Sequence, residues 1–100
     1  MIKNPEITWS PSAIESLRKA WEFISLDSPA NAKKVIEGIV ESVDELLVNP
    51  SRYPADRFKK NNQGEYRAFE KYSYRIAEKI AETEILILRI RHIKQEPLEY

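Results

Sequence analysis

The sequence predicts an α+β fold: a short strand, an antiparallel pair of helices, and a late group of hairpin-linked strands. Three observations carry this. Two Ser-Pro pairs, Ser10-Pro11 and Ser28-Pro29, each precede a run of apolar residues with helical spacing. Three short runs of alternating apolar residues crowd into residues 65–92. Between these halves, residues 49–64 are polar, contain Pro50 and Pro54, and end in a turn signal at Asn61 to Gly64.

Taken in order, residues 2–9 read as a first strand in which Ile7 and Trp9 share a face and Pro5 suits an irregular start or an edge. Ser10 can cap a helix and Pro11 can occupy its first position, so the first helix is expected over residues 11–25. Its apolar stripe is Ile14, Leu17, Trp21 and Ile24. Ser28-Pro29 repeats the device. The second helix carries Ala32, Val35, Ile36, Ile39, Val40, Val43, Leu46 and Leu47 on one side and is expected to run to Val48, stopping before Pro50. The short connection makes the helices an antiparallel hairpin, and Gly38 is expected to mark a close contact between them. Strands follow over residues 65–70, 73–81 and 84–92. In the last, alternation puts Leu86, Leu88 and Ile90 on one face and Ile85, Ile87, Arg89 and Arg91 on the other.

One hundred residues, 42% hydrophobic and 32% charged, fit a single domain spanning residues 1–100 with one modest core. Cysteine is absent, which excludes disulfides, a thiolate zinc site and a cysteine nucleophile, and suits a reducing cytoplasm. The opening residues lack the apolar core of a signal peptide, and no run is long enough to span a bilayer. A soluble, cytoplasmic protein without membrane contact is therefore expected. The net charge is zero, which disfavours a general nucleic-acid coat. The charges are nevertheless polarised: residues 1–51 hold five Lys/Arg and eight Asp/Glu, and residues 52–100 hold eleven and eight.

Chemistry-bearing residues are few. A single histidine, His92, rules out paired-histidine metal motifs and leaves no basis for a metal site or a cofactor; isolated at a strand end, it is the kind of histidine that local contacts usually satisfy. Glu37, Glu41, Asp44 and Glu45 lie on the exposed side of the second helix and read as solvation. The arginines stand out: Arg67, Arg75, Arg89 and Arg91 all fall within expected strands, and a fixed guanidinium fork on a rigid sheet recognises phosphate or carboxylate. The competing reading is cross-strand ion pairing with Glu65, Glu70, Glu78 or Glu82. Tyr66, Phe69, Tyr72 and Tyr74 are open to two readings in the same way, as base-stacking platforms or as sheet packing.

These residues resemble, over almost the whole chain, the RelE/ParE superfamily of toxins from type II toxin-antitoxin systems. The resemblance rests on Trp9-Ser10-Pro11 with Ala13, on Asp27-Ser28-Pro29-Ala30, and on Leu46 through Pro50. In the second half it rests on Tyr66-Arg67, Tyr74-Arg75-Ile76, and the last strand ending Ile90-Arg91-His92. It implies two helices packed on a twisted, mostly antiparallel sheet, and a toxin held in a hetero-oligomer by a cognate antitoxin. Two targets follow from the two branches. ParE-like members poison DNA gyrase, whereas RelE-like members cut mRNA on the ribosome with basic residues and a C-terminal Tyr or His. Under the ribonuclease reading, the catalytic candidates are Arg67, Arg75, Arg91, His92 and Tyr100. Phe69 stands where the ribonuclease pattern has a second basic residue, the ending RIRHIKQEPLEY is more like the ParE branch, and Glu78 replaces an aromatic common in relatives. The sequence thus favours a gyrase-directed toxin, with a ribosome-dependent endoribonuclease and an inactive interaction module as alternatives.

Overall fold

Each Ser-Pro pair starts a helix in the computed structural model, which describes residues 5–95 and residue 100. Strand β1 (Glu6–Trp9) leads into α1 (Pro11–Ser25) and α2 (Pro29–Asp44), followed by a 3-10 turn over Glu45–Leu47. Of the expected first strand, residues 1–4 lie outside the described residues. Ser10 Oγ accepts the Ala13 N–H at 3.0 Å, and Ser28 Oγ accepts the Asn31 N–H at 3.1 Å, so each serine satisfies a donor that the helix itself leaves unpaired. The second helix ends four residues earlier than Val48; its last apolar residues, Leu46 and Leu47, sit in the tighter turn, where Leu46 is buried and Leu47 is not.

Three further strands, β2 (Tyr66–Lys71), β3 (Tyr74–Ile80) and β4 (Glu84–His92), complete a four-stranded sheet in the order β1-β4-β3-β2. The β2–β3 and β3–β4 pairs are antiparallel, and β1 joins the edge of β4 in parallel. The helices cover one side. Their Ala13, Ala20, Val35, Ile39, Val43 and Leu46 meet Phe69, Tyr74, Ile76, Ile85, Ile87 and Ile90 of the sheet in one core.

Two features of this packing differ from the periodicity. On α1 the fully buried positions are Ala13 and Ala20, while Ile14 and Trp21 are exposed and Leu17 and Ile24 are only partly buried against the core. The small residues let the helix lie close to the sheet, so the large ones flank the contact. On β4 the ladder shifts register between Ala77 and Glu78: Ala77 faces Arg89 but Glu78 faces Ile87. This bulge leaves Leu88 as the extra residue and reverses the alternation, so Ile85, Ile87 and Ile90 all reach the core. Ser10 docks at the irregularity, its N–H donating to Ile87 O at 2.9 Å and its Oγ to Leu88 O at 2.8 Å. One serine therefore starts α1 and ties it to the bulge.

Strands β2 and β3 are joined by Tyr72 and Ser73, whose φ angles of 51° and 70° are both left-handed. A two-residue hairpin of this twist is normally built from Asn and Gly, which tolerate positive φ. Ser73→Gly is expected to stabilise the fold by about 1 kcal/mol, measured as a raised urea midpoint with an unchanged slope. Gly38 does mark a close contact, but with the Tyr72 ring, which a Cβ at that position would strike. Gly38→Ala is expected to gain stability, up to about 1 kcal/mol by helix propensity, only when Tyr72→Ala has first removed the ring.

Candidate functional site

Residues opposite one another in a ladder point to the same side of a sheet, which sorts the four arginines. Arg75 lies between Glu70 and Arg91, and Ala77 between Ala68 and Arg89, so Arg75, Arg89 and Arg91 share the face turned away from the helices. Arg67 pairs with Glu78 and falls in the row of Phe69 and Ile76, on the helix-facing side.

On the open face Arg75 is 8% exposed and directly opposes Arg91, an arrangement that repels unless carboxylates intervene. Asp56 supplies the first. Its Oδ1 accepts Arg75 Nη2 at 2.8 Å and the Phe58 N–H at 3.0 Å, and its Oδ2 accepts the Tyr100 hydroxyl at 2.7 Å. Glu70 supplies the second, 3.5 Å from Arg75 Nη1. Burial alone would raise the Asp56 carboxyl, but the Tyr100 hydroxyl, the Arg75 guanidinium and the Phe58 amide together outweigh it and hold the group below its ordinary value. Burial, followed by the hydrogen bond to Asp56 and that carboxylate's charge, pushes the Tyr100 phenol up. At neutral pH this phenol is protonated and committed as a donor.

Tyr100 is also held by its backbone: its N–H donates to Phe58 O at 3.0 Å and its carbonyl accepts the Lys60 N–H at 2.6 Å. Its ring stands edge-on to Tyr66 with centroids 6.3 Å apart, and the Arg89 guanidinium lies 4.2 Å from its centroid. Lys59 and Lys79 approach the Tyr66 ring at 4.6 and 5.3 Å. The result is a cation-and-aromatic face clasped by residues 56–60 and Tyr100. Arg91 Nη2 donates to Gln95 O at 2.7 Å.

Of the five residues singled out from the sequence, Arg75, Arg91 and Tyr100 thus belong to one face, and Arg67 and His92 to the other. Arg67 Nη1 donates to Tyr53 O at 2.6 Å. His92 stands edge-on to Tyr74 at 5.2 Å, and its Nδ1 accepts the Lys94 N–H at 3.1 Å. Among the described residues no group of His, Cys, Asp and Glu could hold a metal ion, and no helix is long and apolar enough to cross a membrane. Asp56, which organises the open face, carries no sequence signal: it is one acidic residue in an irregular segment, and its partners lie 19 and 44 positions away.

Residues 7–97 match the family described as ParE toxin of type II toxin-antitoxin system, parDE. No curated protein matches the chain. The fold is similar to a chain of the chromosomal ParDE toxin-antitoxin system from P. aeruginosa, with a TM-score of 0.71 and 22% identity over 89% of this chain and 96% of that one. It is also similar to a chain of the RelBE2 toxin-antitoxin complex from Mycobacterium tuberculosis, with a TM-score of 0.62 and 18% identity over 90% of this chain and 99% of that one. The YoeB dimer from Staphylococcus aureus follows with a TM-score of 0.59 and 18% identity, over 90% of this chain and 98% of that one.

Proposed function

We propose, for a chain that belongs to the ParE toxin family of type II toxin-antitoxin systems, that it arrests growth in the cytoplasm by poisoning DNA gyrase through protein contact and is neutralised by a cognate antitoxin in a hetero-oligomer. The observation that carries this reading is the clasp. Cutting RNA calls for a group that can accept or release a proton near neutrality, placed beside cations that stabilise developing charge. Here Tyr100 gives its proton to a hydrogen bond with Asp56, Arg75 is neutralised by Asp56 and Glu70, and Arg67 and His92 face the opposite side of the sheet. Zero net charge also suits a protein target better than ribosomal RNA, whose phosphates reward a basic surface.

The test is supercoiling of relaxed plasmid by gyrase with the purified chain in excess. Loss of supercoiling or accumulation of cleaved DNA is the expected result, and normal supercoiling would refute the proposal. The second reading, a ribosome-dependent endoribonuclease, draws on the shared face of Arg75, Arg91 and Tyr100. Toxin-dependent cleavage of mRNA in the ribosomal A site, detected by toeprinting, would replace the gyrase reading with it. Induction without growth arrest would instead leave an inactive interaction module.

A further inference from the structure

Glu78 is the most anomalous side chain among the described residues. It is 0% exposed on the helix-facing side of β3, and neither carboxyl oxygen has a hydrogen-bond partner. Buried polar groups are nearly always paired, and an ionised carboxylate without a partner is strongly disfavoured away from water. Arg67 stands opposite Glu78 on β2, and Ile87 stands opposite it on β4. Among the described residues, Arg67 is the charge that bears on the carboxyl. The arginine does not pair with it: Nη1 is given to Tyr53 O, while its buried Nε has no partner. A single guanidinium thus has two acceptors within its neighbourhood and serves the uncharged one.

The Tyr53 carbonyl belongs to a segment that covers the outer edge of β2. Ala55 bridges Arg67, the Asp56 N–H donates to Tyr66 O at 2.8 Å, and the Ala68 N–H donates to Pro54 O at 3.4 Å. The same segment ends at Asp56, which clasps Arg75 and Tyr100 on the far side of the sheet. We propose that Glu78 is a proton-operated switch: neutral, it leaves Arg67 on the Tyr53 carbonyl; ionised, it draws the guanidinium to itself and loosens segment 53–56 from β2. Burial pushes the Glu78 carboxyl up to about 7, against the lowering pull of Arg67, which places the exchange near neutral pH. A proton on the core side of the sheet then governs the hold on the arginine face. This inference is independent of which target the toxin attacks.

The test follows the carboxyl carbon of Glu78 by NMR in the whole chain from about pH 5 to pH 9, alongside amide hydrogen exchange at Asp56, Ala68 and Ile76. After correction for the intrinsic pH dependence of exchange, protection at Asp56 and Ala68 is expected to fall by about tenfold as Glu78 ionises, the equivalent of one pKa unit of differential interaction. Ile76, in the centre of the sheet, is expected to lose protection only through global unfolding, with a steep urea dependence, whereas the loss at Asp56 and Ala68 is expected to be insensitive to low urea. Glu78→Gln keeps the shape without the charge and is expected to hold all three constant. A Glu78 midpoint in the ordinary carboxylate range overturns the switch. So does unchanged protection across its titration, a loss at Asp56 and Ala68 with the same urea dependence as at Ile76, or the same loss in Glu78→Gln.

Discussion

Asp56→Ala is expected to cost about 3–5 kcal/mol, the effect of removing one partner from a buried ion pair. The Arg75 guanidinium would stay buried with Glu70 at 3.5 Å and the Phe58 ring beside it, and the Phe58 N–H and Tyr100 hydroxyl would lose their acceptor. Domains of this size have a total stability of only about 5–15 kcal/mol, so much of the molecule would unfold at modest urea. Equilibrium urea unfolding measures this, and a change below about 1 kcal/mol would show that water replaces the carboxylate at little cost. The pH dependence follows from the lowered Asp56 carboxyl. Its contribution is complete above the ordinary value of 3.8 and is lost as pH falls through the folded-state value, so the wild type is expected to show an acid-unfolding arm that Asp56→Asn lacks.

Glu78→Met has the opposite sign. With its carboxyl raised from 4.5 to about 7, Glu78 binds its proton more tightly when folded than when unfolded. Stability from this group is therefore complete below 4.5, declines as pH rises toward 7 and is level above that. The shift amounts to roughly 3 kcal/mol at 1.36 kcal/mol per unit. An unbranched apolar side chain avoids that loss, so the variant is expected to exceed the wild type by roughly 3 kcal/mol at alkaline pH, with the difference shrinking toward pH 4.5. Thermal melts at the two ends of this range measure it. A difference independent of pH would mean that packing, not ionisation, decides the effect.

Both effects arise at positions that the sequence did not mark as sites. Helix starts were legible because Ser-Pro capping is local, and α1 begins and ends where the pattern places it. Strand β4 was legible in extent but not in facing. One extra residue at Leu88 moves Ile90 to the core beside Ile85 and Ile87, and a change of one in register reverses every side chain beyond it. On α1 the periodicity pointed to the large residues, whereas close packing selected Ala13 and Ala20. Arg67, Arg75, Arg89 and Arg91 were visible as four unusual strand residues, but which of them share a face depends on hairpin register.

By itself the sequence determined the elements, their order and, through their spacing, the resemblance to the toxin superfamily, because capping and periodicity act between near neighbours in the chain. The tertiary structure alone decided which arginines meet, that Asp56 joins Arg75 to Tyr100, and that Glu78 lies buried without a partner. Those outcomes depend on contacts between distant segments and on one bulge, and local pattern carries no information about either.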